Sequence, residues 1–280
     1  MKAEFEWKEN DLQKWIEVVT RWVSYEATES NPEGLTQFYG DLYSWLEKMG
    51  FELETHTDNE APYRPVIIAK KNPSNAGGRW LGFFQHYDVE PIHEEWETDP
   101  WELIQKEERV YGRGIADNIG PLAHRLIMFE NMEIDIGLLL VIQGEEEIGS
   151  PWAHELFESL ELPEVEMWID ESGYFYKNGD QRILRYGEHQ ILDSITEKLI
   201  VVNEFKGIGS KVRNRFMTKA FGLENCPCIA HLLGDKPYLA IGPLDDKTRV
   251  HGPDESMDVN LLPISTKHLQ VVIDEVEKIC

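Results

Sequence analysis

Apolar and polar residues follow two periods along this chain, one helical and one extended. Two amphipathic segments near the start have helical spacing, and Asn31-Pro32 and Gly50 bound the second of them. Short apolar runs of the kind found in buried strands follow. We predict helices over residues 10–25, 33–49, 120–132, 150–160 and 255–278, and strands near residues 51–57, 65–70, 79–85, 136–142, 165–169 and 236–241.

Strands separated by helices predict an α/β fold with a mostly parallel central sheet and helices on both faces. The 280 residues, 41% of them hydrophobic, are enough for one large domain, and we expect residues 1–280 to form it. Residues 172–235 have the least regular pattern. Within them, residues 199–202 read as a short strand and residues 210–217 as a helix.

Charge and hydropathy exclude several classes of partner. The formal net charge of −25 argues against nucleic acid and anionic membranes, which require a basic surface. The apolar runs are too short to span a membrane, and the charged start lacks the apolar core of a signal peptide. Three cysteines do not form a disulfide framework, so we expect a cytoplasmic protein without membrane or nucleic-acid partners.

Imidazole and carboxylate groups stand at the ends of the predicted strands or in adjoining loops. They are His86, Asp88, Asp117, Glu146, Glu147, Asp170 and His251. Strand ends are where α/β sheets bind ligands, and this mixture of donors suits zinc. A carboxylate beside a metal ligand can accept a proton from water, and Glu146 next to Glu147 fits that need. Taken alone, the acidic triplet Glu145-Glu146-Glu147 also fits a solvated surface run.

Five stretches of sequence carry a resemblance to a known family. They are His86-Tyr87-Asp88-Val89-Glu90-Pro91, Asp99-Pro100-Trp101, Tyr111-Gly112-Arg113-Gly114-Ile115-Ala116-Asp117-Asn118, Gly144-Glu145-Glu146-Glu147-Ile148-Gly149-Ser150 and His251-Gly252-Pro253-Asp254-Glu255-Ser256. At these residues the chain resembles the zinc metallopeptidases and deacylases that include carnosinase, aminoacylase, acetylornithine deacetylase and succinyl-diaminopimelate desuccinylase. The carnosinase-like dipeptidase branch is the most similar. The resemblance covers residues 80–172 and 238–263.

The resemblance implies a three-layer zinc-peptidase fold and a site with two Zn²⁺ ions, for which Mn²⁺ or Co²⁺ can substitute. It implies that His86 and Asp170 hold one ion, that Glu147 and His251 hold the other, and that Asp117 bridges them. Asp88 would orient His86 through the ring nitrogen that is not bound to metal. Glu146 would be the general base, and the Asp117-Asn118 peptide would be cis.

The chain departs from this family in length. Only 80 residues separate Asp170 from His251, where relatives insert a lid domain that dimerises and donates a histidine and an arginine to the substrate. We therefore expect residues 172–235 to replace the lid, and either a monomer or a different dimer. The lid's substrate contacts would then come from other residues: Arg213 and Arg215 for a carboxylate, and His189 and His231 for the oxyanion. A solvated surface is the alternative for the two arginines.

These features predict a dinuclear zinc-dependent hydrolase that cleaves an amide bond of a small N-acyl amino acid, dipeptide or related amide. Two other functions fit the same residues. One is a monomeric metallo-aminopeptidase, since an acidic rim suits a substrate ammonium group. The other is a non-catalytic binding protein on a decayed hydrolase fold, which a complete ligand set with Glu146 disfavours.

Overall fold

The computed structural model describes residues 5–75, 77–214 and 228–279. Its helices are α1 (Glu9–Val23), α2 (Pro32–Lys48), α3 (Gly120–Asn131), α4 (Ala153–Ser159), α5 (Gln190–Phe205), α6 (Ala230–Leu233) and α7 (Leu261–Glu277). Its strands are β1 (Glu52–His56), β2 (Val66–Lys71), β3 (Trp80–His86), β4 (Ile104–Lys106), β5 (Arg109–Tyr111), β6 (Gly137–Gln143), β7 (Val165–Asp170), β8 (Tyr174–Phe175), β9 (Gln181–Tyr186), β10 (Ser210–Asn214), β11 (Tyr238–Ala240), β12 (Leu244–Asp245) and β13 (Ser256–Asp258). None of the described helices is both long and apolar enough to cross a bilayer.

One large sheet organises the molecule, with strand order β1-β2-β6-β3-β7-β11-β9-β8-β12 and β10 paired to β9. Its central strands β6, β3, β7 and β11 are mutually parallel. The carboxyl ends of these four strands therefore lie along one edge of the sheet. A second, three-stranded sheet has the order β13-β5-β4. The predicted α/β fold with a parallel centre is confirmed.

Alternate residues of β6 divide the core between the two faces of the sheet. Leu138 and Leu140 pack in the cluster that contains residues of α1, α2, α3, α5 and α7. Leu139 and Val141 pack in the cluster that contains residues of α4 and α6. Because successive strand residues point to opposite faces, β6 is buried on both sides. This arrangement explains its continuous apolar sequence and confirms the prediction of helices on both faces.

The segment between β7 and β11 differs most from the prediction. The run 199–202, predicted as a strand, lies within α5, because Leu192, Ile195 and Leu199 are buried at helical spacing. The described part of the predicted helix 210–217 is strand β10, which pairs in parallel with β9. Pairing with a strand distant in sequence decided that conformation. The last helix starts at Leu261, because Ser256–Asp258 forms β13 against β5.

Three buried side chains form a closed hydrogen-bonded ring that joins β9, α5 and α7. The Gln181 amide donates to His268 Nδ1 (3.1 Å), His268 Nε2 donates to Asn203 Oδ1 (2.7 Å), and the Asn203 amide donates to Gln181 Oε1 (2.8 Å). The ring requires a neutral imidazole, because Nδ1 accepts a hydrogen bond. Burial accordingly lowers the pKa of His268 to about 4.

This histidine should make the fold sensitive to acid. Its folded-state pKa lies below the unfolded value of about 6.5, so the unfolded chain binds more protons below that pH. The contribution of neutral His268 to the free energy of unfolding is complete above pH 6.5. About 2 kcal/mol of this contribution is lost between pH 6.5 and pH 5. Urea unfolding of the metal-free protein should show a correspondingly smaller pH effect in His268→Gln. The exposed His93→Gln variant serves as the control, and equal pH effects in all three proteins would contradict the prediction.

Candidate metal centre

Three neighbouring parallel strands deliver acidic and imidazole side chains to one edge of the sheet. His86 is the last residue of β3, Glu146 and Glu147 lie in the loop after β6, and Glu171 directly follows β7. The side chains of His86 and Glu147 are only 2% and 3% exposed. Charged side chains that are buried so close together require partners of opposite charge.

Asp117 lies between two histidines. Its Oδ1 is 3.0 Å from His86 Nε2, and its Oδ2 is 3.2 Å from His251 Nε2. His251 Nε2 also lies 2.9 Å from Glu147 Oε2. The two oxygens of the Asp117 carboxylate thus face two different histidines. A carboxylate that bridges two ions requires this arrangement. The Asp117-Asn118 peptide is cis, as expected from the sequence.

The loop that carries Asp117 is held by a buried ion pair. One Glu255 oxygen accepts hydrogen bonds from the amides of Ala116 (2.9 Å) and Asp117 (3.1 Å). The other accepts from the amide of Gly114 (3.1 Å) and from the Arg113 guanidinium (2.7 Å). Arg113 also donates to the carbonyl of His251 (3.2 Å). The Arg113–Glu255 pair therefore connects the loop that carries Asp117 with the loop that carries His251. Both loops approach the cluster from outside the parallel strands.

Removing one member of this pair should strongly destabilise the protein. The Arg113 and Glu255 side chains are each 1% exposed, so Arg113→Met leaves a buried carboxylate without its counter-ion, at a cost of about 3–5 kcal/mol. Arg249 is the matched control, because it is 60% exposed and 3.7 Å from Asp254. Arg249→Met should change the free energy of unfolding by no more than about 1 kcal/mol. Urea unfolding of the metal-free variants measures both, and a similar small loss in each would contradict the assignment.

Asp88 contacts both His86 and the acidic loop. Its two carboxylate oxygens accept hydrogen bonds from the amides of Glu146 (3.1 Å) and Glu147 (2.9 Å). His86 Nδ1 lies 3.1 Å from the Asp88 carbonyl oxygen and 3.5 Å from its carboxylate. One side chain therefore fixes the backbone that presents Glu146 and Glu147, and the same residue restrains the His86 ring.

The Asp170 carboxylate has hydrogen-bond partners of its own, and Glu171 lies close to the cluster. The Asp170 carboxylate accepts hydrogen bonds from the Tyr238 hydroxyl and from the Ser172 amide. Ligand atoms of Glu171, by contrast, lie within 4.8 Å of those of His86 and Asp117. Adjacent residues at a strand end point in different directions. The geometry favours Glu171, which stands beside Asp170 and was not named from the sequence, and the role of Asp170 as a ligand stays a prediction.

Burial and mutual repulsion hold several of these carboxyl groups close to neutrality. Burial is the main cause that raises the pKa of Glu146 to about 7, of Glu147 to about 8 and of Glu171 to about 8. The Asp117 charge adds to the effect at Glu147, and the Asp170 charge adds to it at Glu171. Hydrogen bonds to Asp117 and Glu147 raise the pKa of His251 to about 11. Each of these shifts favours the protonated form of its group.

The donor set fits divalent ions. Two groups of ligand atoms each lie within 4.8 Å of one another: His86 with Asp117 and Glu171, and Glu147 with His251 and Glu90. The buried Glu147 Oε1 has no hydrogen-bond partner among the described residues. Crowded carboxylates and an orphaned buried oxygen are both relieved by a cation. Imidazole and carboxylate donors together favour zinc or a similar metal.

The four predicted substrate contacts lie in different places. His189 Nε2 is 3.1 Å from the Asp235 carbonyl oxygen, and His231 Nδ1 is 2.9 Å from Glu158. Arg213 is exposed on β10, three strands from β7 and hence about 14 Å away across the sheet. Arg215 lies outside the described residues. The roles suggested for these four residues stay predictions.

Sequence comparison relates the site to known enzymes. Residues 82–186 match the sequence model of peptidase family M20/M25/M40. The human Beta-Ala-His dipeptidase is 26% identical over 176 residues, which is 55% of this chain and 34% of that protein. The succinyl-diaminopimelate desuccinylase of Novosphingobium aromaticivorans is 34% identical over 110 residues, or 38% of this chain and 29% of that protein. The chain thus spans about a third of the length of these curated relatives.

Solved structures show the same fold over nearly the whole chain. A di-peptidase of Saccharomyces cerevisiae aligns with a TM-score of 0.71 and 13% identity, covering 96% of this chain and 97% of that one. A metallo-carboxypeptidase of the M20 family from Sulfolobus solfataricus aligns with a TM-score of 0.73 and 14% identity, covering 94% and 99%. The match at residues 82–186 includes His86, Asp117 and Glu147. Residues 82–186, which carry three of the cluster residues, are therefore similar to peptidase family M20/M25/M40.

Proposed function

We propose that this protein is a dinuclear metal-dependent hydrolase that cleaves an amide bond in a small dipeptide, N-acyl amino acid or related amide. The observation that carries the proposal is Asp117, whose two carboxylate oxygens face His86 and His251 separately. The names of the relatives, a dipeptidase and a desuccinylase, point to the same class of bond.

Each ion has its own residues in this proposal. His86 and Glu171 hold one, Glu147 and His251 hold the other, and Asp117 bridges the two. Two divalent ions supply Lewis acidity, which makes water nucleophilic near neutral pH and polarises a carbonyl. Zinc is the proposed native metal, with Mn²⁺ or Co²⁺ as substitutes.

Glu146 is the proposed proton carrier. Burial raises its pKa to about 7, so its carboxylate can accept a proton from water and later return it to the leaving amine. Asp88 sets its position through the hydrogen bond to the Glu146 amide. A carboxyl group with a pKa near the working pH exchanges protons in both directions at low cost.

The substrate approaches from the side of His251. That side chain is 48% exposed, whereas His86 is 2% exposed, so the cluster opens to solvent at the second ion. The described strands of residues 172–235, β8, β9 and β10, belong to the large sheet and form no separate sheet. We propose that one chain suffices for the site and that extended substituents are tolerated on this side.

Turnover of a substrate panel tests the proposal. The zinc-loaded protein is assayed against dipeptides, N-acyl amino acids and aminoacyl anilides, with the Glu146→Gln protein from the same preparation as control. We expect hydrolysis of one class, loss of activity with a chelator, and recovery with zinc. Cleavage of the aminoacyl anilides alone would favour the alternative function, a metallo-aminopeptidase. No turnover by the wild type, or equal turnover by Glu146→Gln, would contradict the proposed function.

A further inference from the structure

Glu90 is a carboxylate at the metal centre for which the proposed function has no use. It follows β3 in the loop after His86, and its ligand atom lies within 4.8 Å of those of Glu147 and His251. Asp117 does not belong to this group. Glu90 is therefore a further carboxylate within reach of an ion at Glu147 and His251.

The orientation of Glu90 is set by a second residue. His93 Nε2 lies 3.0 Å from Glu90 Oε1, and the Glu90 side chain is only 21% exposed, whereas His93 is 64% exposed. A carboxylate that is hydrogen-bonded through one oxygen and binds metal through the other is the usual arrangement among metal-ligating carboxylates. Two other acids of this loop, Glu94 and Glu95, are exposed.

A buried acceptor gives independent evidence for a cation at this position. The Glu147 side chain is only 3% exposed, and its Oε1 has no hydrogen-bond partner among the described residues. A second carboxylate beside this orphaned oxygen adds repulsion unless a positive charge lies between them. Glu90 next to Glu147 is therefore costly without a cation and favourable with one.

We propose that Glu90 is a protein ligand of the ion held by Glu147 and His251. This inference rests on the metal site of the proposed function but not on its substrate. With Asp117, that ion then has four protein donors, whereas the ion at His86, Asp117 and Glu171 has three. The two ions are consequently unequal, and the ion at Glu147 and His251 is held more tightly.

Metal affinity measured without substrate tests this assignment. Titration of the metal-free protein with Zn²⁺, in competition with a chromophoric chelator, should resolve two ions in the wild type. Glu90→Gln should weaken one of them at least about tenfold and leave the other unchanged. Glu94→Gln makes the same charge change on an exposed residue of the same loop and should bind both ions as the wild type does. His93→Gln should give a smaller loss at the same ion.

Double variants identify which ion is affected. Glu90→Gln added to Glu147→Gln should cost no further ion, whereas Glu90→Gln added to Glu171→Gln should weaken both. Wild-type affinity in Glu90→Gln, or a loss at the ion that Glu171 holds, would overturn the assignment. A wild type that binds two ions and shows the Glu90 effect, yet hydrolyses nothing in the panel, would contradict the proposed function and leave this inference standing.

Discussion

Replacing Glu146 with glutamine should abolish most turnover and leave both metal ions bound. Glutamine keeps the size of the side chain and its hydrogen-bonding reach, but its amide cannot accept a proton from water. Positioned general bases contribute about 100- to 10,000-fold, so kcat should fall by that factor. The amide of residue 146 still donates to Asp88, so the loop should keep its shape.

The same substitution at the neighbouring residue, Glu147, should have a different effect on metal binding. Glu147 lies 2.9 Å from His251 Nε2 and has an orphaned buried oxygen, which makes it a ligand in our assignment. Glu147→Gln should therefore lose one ion as well as activity. Metal analysis of the two variants after gel filtration, beside their kcat values, separates a proton carrier from a ligand. Equal metal loss in both variants would show that this division of roles is wrong.

Replacing Glu171 with glutamine should remove the other ion. Its ligand atom lies within 4.8 Å of those of His86 and Asp117, and burial raises its pKa to about 8, which shows how poorly the site accommodates its charge without a cation. A neutral amide is a much weaker ligand for zinc than a carboxylate. We expect one ion per chain in Glu171→Gln and two in the wild type.

Asp170→Asn is the matched control, since it changes the adjacent acid in the same way. Its carboxylate is hydrogen-bonded to Tyr238 and Ser172, so the variant should keep both ions but lose about 1–3 kcal/mol of stability. Metal content and urea unfolding measure the two effects. One ion in Asp170→Asn with two in Glu171→Gln would restore the ligand predicted from the sequence.

The sequence alone determined the type of fold and most of the cluster. Long apolar runs favour buried strands of a parallel sheet, and His86 and Glu147 stand two and five residues after such runs. Because parallel strands end at a common edge, residues near those ends converge without further information. The cis peptide after Asp117 was also expected, as an implication of the family resemblance.

Only the tertiary structure decided between Asp170 and Glu171. Both acids stand at the end of β7, and the direction of each depends on how β7 pairs with β3 and β11. A shift of one residue exchanges the two faces of a strand, so no local pattern could choose between them. The same limit applies to Glu90, whose ligand atom lies within 4.8 Å of those of Glu147 and His251. Contacts between residues distant in sequence depend on the packing of the whole chain, whereas apolar periodicity is written into each segment.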